Sequence, residues 1–459
     1  MVGIQMIVAK ATGSLPMLGY FAAAQLLPIL FLGIFGGLVA DRVNRKKLLV
    51  VTQAIMMVIA ALVAAAAYWR DRLPNVIGLE HLGDAQGLVA ALFVLSLAQG
   101  VVMAFNIPAW QVLTPRLVPK EDLTKAITAN GIQFNAARVV GPALAGVLLS
   151  AIGPTPLFVI NTFTFLAILI AVSTTPDAPA PPRQETHPWE RIREAAAFIF
   201  RQKGPLYVFI SMVLMSLLAA PLIRMLPLYV IYVYGVSFEA SDGVTGSLIS
   251  VLGIGAVLGG VALKYLPEWY PKHHFIPLAI AGCGLTITLF GLTNALWAGY
   301  AIMFVVGLFW IWSFNPAWAA MQHLVPDHMR GRVMSIANVA AFGFMAIGNV
   351  AAAWLGKGVE AVLATGHLGA DAAADARVIG THAAVAGPSF ALLAAGVVML
   401  IWRAPEVDGL KPGDEEYGPK RSLWEGITAR THLEHERRRR RREPALPAWE
   451  PETGHAGAK

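Results

Sequence analysis

Charge is scarce in this chain. Of its 459 residues only 14% are Asp, Glu, Lys or Arg, too few to cover the surface of a soluble protein of that size. Cysteine is scarcer still: the single Cys283 rules out an internal disulfide framework and a cysteine metal site, and in its apolar run it reads as a small packing residue. No Gly-x-x-x-x-Gly-Lys-Ser/Thr segment is present to cradle a nucleotide, which argues against direct ATP drive. No cofactor and no metal is expected, and nothing marks the chain as an enzyme.

What is abundant is apolar sequence, 56% of the chain, arranged in blocks of about twenty residues. That is the length needed to cross a ~30 Å hydrocarbon core at 1.5 Å per residue. Eleven complete spans are expected, near 17–40, 47–69, 88–110, 126–151, 157–172, 205–233, 244–263, 275–293, 296–318, 333–355 and 384–402. Within those bounds none holds Asp, Glu or His. Residues 1–11 are apolar but too short to span, and they lack the basic start of a signal peptide. An all-α integral membrane protein is expected, with most of its first helix missing from this chain.

The sequence repeats itself. Asn106-Ile-Pro108-Ala109-Trp110, Leu117-Val118-Pro119 and Ala129-Asn130 are answered by Asn315-Pro316-Ala317-Trp318, Leu324-Val325-Pro326 and Ala337-Asn338, with Pro108 to Pro316 and Ala129 to Ala337 both 208 residues apart. A duplicated membrane protein follows, and duplicated halves about a central axis are how secondary transporters hold a substrate near the midplane. The expected organisation is an N-terminal bundle over 1–172, a linker over 173–204, a C-terminal bundle over 205–402 and a disordered tail over 403–459.

Lys and Arg fix the orientation. Loops on the side of Asp41 to Lys46 carry sixteen of them and the opposite loops five, which makes the former side cytoplasmic. The formal +7 charge is therefore mainly an orientation signal, and nucleic acid is not an expected partner. The linker, with Pro176, Pro179, Pro181 and Pro182, and the tail lie on that same side. The six arginines Arg437 to Arg442 are either a solvated run or a contact to anionic lipid headgroups, each worth on the order of 1 kcal/mol. Long outer loops are expected at 70–87 and 356–382.

The loop Gly37-Leu-Val-Ala-Asp41-Arg42-Val-Asn44-Arg45-Lys46-Lys47 places one acid among four cations at the membrane face. An ion pair there is only partly screened and can form in one conformation and break in another. Its Gly-x-x-x-Asp-Arg-x-x-Arg-Lys pattern resembles the signature loop of the major facilitator superfamily. Gln25-Leu-Leu-Pro28, Pro108-Ala-Trp110-Gln111 and Asn135-Ala-Ala-Arg138-Val-Val-Gly141-Pro142-Ala143-Leu-Ala-Gly146 resemble the branch that includes the bacterial enterobactin exporter and related drug and macrolide efflux proteins. The resemblance covers about residues 12–402. It implies two six-helix bundles, alternating access, proton coupling and a place in the bacterial inner membrane. It also implies a latch of Gly37, Asp41, Arg42 and Arg45, with Asp41 engaging the helix that begins near Arg332, and a helix-packing motif at Gly141, Pro142 and Gly146. Two positions depart from the pattern: Asn44 stands where many members have Gly, and Ser96 where proton-coupled antiporters often have Arg.

Arg138 lies twelve residues into its span, ~18 Å along, near the midplane. A charge there costs ~2.5–3.5 kcal/mol and either faces a cavity or makes an interhelical bond. Arg224, eighteen residues past Leu206, lies close enough to the outer face to snorkel, yet Pro221 and Pro227 flank it where a broken helix would meet substrate. Gln99, Asn106, Asn135, Asn161, Trp312 and Asn315 either line the cavity or hydrogen-bond across helices. The expected function is export of a small amphipathic molecule, a siderophore or drug, by a proton-driven monomeric antiporter. Import of a nutrient by the same fold, and a non-transporting receptor or scaffold, are the alternatives.

Overall fold

Without water to hydrogen-bond a bare backbone, a bilayer core admits segments that pair every N–H and C=O internally, which an α-helix does. All regular elements among the described residues are helical. The computed structural model describes residues 2–68, 84–113, 151–175, 188–263, 271–326, 329–366, 370–402 and 404–408, with the single positions 137 and 148. By contacts the chain separates into residues 1–409 and 410–459, and every described residue belongs to the first unit.

The N-terminal half holds α1 (Val2–Thr12), α2 (Leu15–Arg42), α3 (Arg45–Tyr68), α4 (Asp84–Leu113) and α5 (Pro154–Thr174). Helix α6 (Pro188–Arg201) follows in the linker. The C-terminal half holds α7 (Lys203–Leu218), α8 (Pro221–Tyr232), α9 (Ser241–Ala262), α10 (Lys272–Phe290), α11 (Leu296–Leu324), α12 (Arg330–Gly366) and α13 (Ala370–Ile401), closed by a 3-10 turn at Pro405–Asp408. Among the described residues ten segments are long and apolar enough to cross a membrane, with α7 and α8 together forming one of them. Of the expected span at 126–151 only Ala137, Leu148 and Ala151 are described, each in helix, and the Arg437–Arg442 run and the loop at 70–83 lie outside the described residues. Helix α1 has eleven residues, too few to span.

The duplication is visible in how the helices pair. In the first half α2 packs on α4, α3 on α4, α3 on α5 and α1 on α4; in the second half the corresponding α9 packs on α11, α10 on α11, α10 on α13 and α7 on α11. The first pairing is backbone against backbone in both halves. A Cβ on Gly36 would lie 2.1 Å from the Ala104 carbonyl oxygen and one on Gly100 2.6 Å from that of Gln25. In the second half Gly255 and Gly307 would each meet a carbonyl oxygen, of Phe304 and of Leu252, at 2.0 Å. Small residues at such crossings let apolar helices approach closely in a solvent that offers no hydrophobic drive.

Helix ends differ from the expectation in three places. The outer segment 356–382 is mostly helix: α12 runs on to Gly366 and α13 starts at Ala370, because hydropathy falls there while Ala-rich sequence keeps its helix propensity. For the same reason the spans are not free of acids and histidines, since Asp242, His273, His274, His323, Glu360, Asp375 and His382 fall within the extended membrane helices. The span at 205–233 is broken at Ala219 and Ala220, where Pro221 has no N–H to donate, whereas Pro227 is accommodated inside α8. Order also continues past Trp402. Asp408 accepts a hydrogen bond from the Lys272 backbone N–H at 2.5 Å and bonds His273, so the 3-10 turn caps the start of α10.

Gly307→Ala should destabilise the detergent-solubilised protein by about 1–3 kcal/mol, since its methyl would enter the α9 backbone. Gly260→Ala, with nothing within 4 Å, should stay within about 0.5 kcal/mol of the parent. Thermal unfolding of both variants checks this, and equal shifts would contradict the close crossing.

Candidate functional site

The two halves meet chiefly where α2 packs along α12. Contact runs nearly the whole length of both helices, and small side chains make it close. From the outer end inward, Gly19 faces Ala353 and the Asn349 carbonyl, Leu30 covers Gly343, and Val339 covers Gly33. At the inner end a Cβ on Gly37 would lie 3.9 Å from the Ser335 hydroxyl, about one turn before Asp41. The side chains of Asp41, Arg42 and Arg45 lie outside the described residues. So do Asn135, Arg138, Gly141, Pro142 and Gly146.

At the outer edge three polar contacts join the halves. Lys10 at the end of α1 pairs with Asp242 at the start of α9 at 2.5 Å, with the carboxylate side chain only 10% exposed. The Tyr232 hydroxyl donates to the Gly13 carbonyl at 2.9 Å, and the Trp354 indole N–H donates to the Tyr20 hydroxyl at 3.1 Å. Gly13 sits in the α1–α2 turn with φ +56°, a conformation costly for other residues, and a Cβ there would press on that tyrosine oxygen at 2.5 Å. These contacts tie the two halves together at the outer edge.

Inward from those contacts, α2, α4 and α12 border a narrow, partly open crevice with room for about one water molecule. Its lining includes Pro108 and Asn338, one from each copy of the repeated motif, with Ile29, Gly33, Ser335 and Phe342. The Asn338 side-chain amide nitrogen is buried without a hydrogen-bond partner among the described residues.

One turn outward from Ile29 lies the fully buried Gln25. Arg224 turns inward to reach it instead of snorkelling outward: its guanidinium donates to Gln25 Oε1 at 3.5 Å, across from the C-terminal half to the N-terminal half. No carboxylate pairs with Arg224 among the described residues, so a cation that costs ~2.5–3.5 kcal/mol at this depth has one long hydrogen bond in return.

Two of the other expected cavity residues spend donors on neighbouring helices. Asn106 is buried and donates to the Thr52 hydroxyl at 2.8 Å, joining α4 to α3. Trp312 donates to the Gly259 carbonyl at 2.9 Å and packs on Phe309 and Phe275, which ties α11 to α9. Asn315 and Asn161 are exposed, and Gln99 is half-buried. Sequence reasoning passed over Gln25, and it could not foresee Lys10 with Asp242, whose partners are 232 residues apart. It also placed His382 in a loop, whereas its Nδ1 donates to the Gly291 carbonyl at 2.6 Å beside the Tyr229 hydroxyl, inside the C-terminal half.

Breaking the outer ion pair should loosen the outer edge. In Ser14→Cys protein, Asp242→Asn should raise the rate of labelling by an impermeant maleimide from outside several-fold, and the swap Lys10→Asp with Asp242→Lys should restore it. Cys283 is fully buried and stays silent. An unchanged rate in Asp242→Asn would show that the pair does not hold the edge.

Known proteins share this arrangement. A family described as transmembrane secretion effector matches residues 1–423. The enterobactin exporter of Citrobacter koseri is 24% identical over 306 residues, 66% of this chain and 68% of that protein. The staphyloferrin A transporter of Staphylococcus aureus is 22% identical over 324 residues, 70% and 76% of the two chains. Among solved structures, a bacterial homologue of the human lysosomal transporter Spinster, inward-facing and unoccupied, superposes with a TM-score of 0.61 at 16% identity, covering 90% of this chain and 96% of that one. A D-xylose–proton symporter gives 0.62 at 14% identity, covering 90% and 96%. These likenesses, added to paired bundles that meet along α2 and α12, make the chain a member of the transmembrane secretion effector family, multi-pass transporters of the major facilitator type.

Proposed function

We propose that this chain exports a small amphipathic molecule, a siderophore or a hydrophobic drug, from the bacterial cytoplasm across the inner membrane. Transport works by alternating access and is driven by the proton-motive force. The observation that carries the direction is the likeness, over two thirds of the chain, to a protein named as an enterobactin exporter. The likeness to a staphyloferrin A transporter points to the same class of cargo. The crevice at the α2–α4–α12 seam is proposed to widen into the substrate site, a reading supported by its position between the halves and by the residues that both copies of the repeat give to its wall. Arg138, Asn135 and Gln99 are proposed to complete its lining when it opens.

The inner latch is proposed to be Asp41 with the first turn of α12, aided by Arg42 and Arg45. Gly37 already meets Ser335 about one turn away, and a carboxylate at a helix N-terminus is stabilised by about 0.3–1 kcal/mol. Packing of Gly141, Pro142 and Gly146 against a neighbour belongs to the same proposal.

Inverted membrane vesicles from cells making the full chain should accumulate enterobactin or ethidium well above vesicles without it. An uncoupler should collapse that accumulation. Uptake into intact cells instead would reverse the direction, accumulation indifferent to the uncoupler would remove proton drive, and inactivity toward both probes would contradict the proposal.

A further inference from the structure

At mid-depth in the seam, the polar groups of α2 and α8 offer donors with too few acceptors. Arg224 lies eight residues before the outer end of α8, ~12 Å in, and Gln25 ten residues after the outer end of α2, ~15 Å in, so both sit near the middle of the hydrocarbon core. The guanidinium presents five N–H donors and has no acceptor capacity, so only the amide oxygen of Gln25 can face it. That leaves the Gln25 amide nitrogen, which is buried and has no hydrogen-bond partner among the described residues. A donor-only cation and an unsatisfied N–H group therefore converge at one place.

Arg224 is not sealed as most of its helix is. Leu222, Met225, Leu226 and Leu228 are 1% exposed or less, whereas Arg224, like Ile223 beside it, is half-buried. The crevice between α2, α4 and α12 begins at Ile29, one turn further along α2 from Gln25.

We infer that Arg224 and Gln25 form an oxyanion-binding site, which takes a carboxylate or comparable anionic oxygen group of the transported molecule. The anion supplies the missing acceptors: two oxygens match the fork of the guanidinium, and one of them takes the Gln25 N–H. Binding replaces the 3.5 Å Arg224–Gln25 bond, which joins the two halves at this depth, with a bridge through the ligand. Cargo with an anionic end is thereby selected over its neutral counterpart. This inference rests on the transporter reading and names the chemistry of its substrate.

The test uses the purified full chain and two probes of equal shape, 1-naphthoate and methyl 1-naphthoate, with binding read by tryptophan quenching. The parent protein should bind the acid about tenfold or more tightly than the ester, the preference expected of a charge-assisted bidentate contact. Arg224→Gln should bring the two affinities within about twofold of each other. Should that variant fold poorly, Gln25→Glu is decisive, because it supplies a built-in carboxylate to Arg224: it should melt no lower than the parent, lose the acid at least tenfold and keep the ester. Equal binding of acid and ester by the parent, no binding of the acid, or an acid preference that survives Gln25→Glu would each overturn the oxyanion site. Because this is a binding readout, failure of transport in vesicles with the acid preference intact would fall on the exporter proposal alone. Transport of ethidium with no acid preference would fall on this inference alone.

Discussion

Close contact between α2 and α12 is the constraint on which the rest of the molecule depends. Lipid tails are as apolar as leucine, so two helices in a bilayer gain little by hiding apolar surface from each other and hold together by packing and a few hydrogen bonds. Here glycine and alanine give that packing along the whole length, from Gly19 and Ala353 to Gly37 and Ser335. Leu30 over Gly343 and Val339 over Gly33 fit large side chains of one helix onto glycines of the other. Within each half Gly36 and Gly100, like Gly255 and Gly307, sit against carbonyl oxygens.

Polar contacts are placed where a pivot of one half on the other would use them. Lys10 with Asp242, Tyr232 with Gly13 and Trp354 with Tyr20 cluster at the outer rim, so opening that side breaks them together. The inner rim has Gly37 beside Ser335, and α6, whose Glu194 pairs with Arg332 of α12 at 3.2 Å, ties the linker to the same end. Between the rims lie the crevice and the Arg224–Gln25 bond. A poorly satisfied charge in this position is tolerable because the site is made to receive something.

Hydropathy, duplication and charge asymmetry made the architecture readable in the sequence, since each reports a bulk property of the bilayer that no tertiary detail overrides. Helix ends were not readable in the same way, because Ala-rich helix runs on past the point where polarity rises, which is why His382 and Glu360 lie in helices. Sequence gives depth but not direction. Asn106 and Trp312 were placed at the right level and turned out to spend their donors on Thr52 and Gly259, holding helices within a half. Arg224 stood out as a charge in an apolar run, but its partner Gln25 belongs to the other half, 199 residues away, and contacts of that range carry no local signal. The Pro108 and Asn338 repeats were legible as motifs, and only packing brings them to one crevice wall.

Distances across the seam test the pivot most directly. Spin labels at Ala11 and Glu239 report the outer rim, and labels at Lys47 and His323 the inner rim, all at exposed positions. As substrate and pH are varied, pulsed electron paramagnetic resonance should show one pair lengthening while the other stays short, with the roles exchanging between states. Both pairs lengthening together, or neither changing under any condition that supports transport, would contradict two rigid bundles pivoting on α2 and α12.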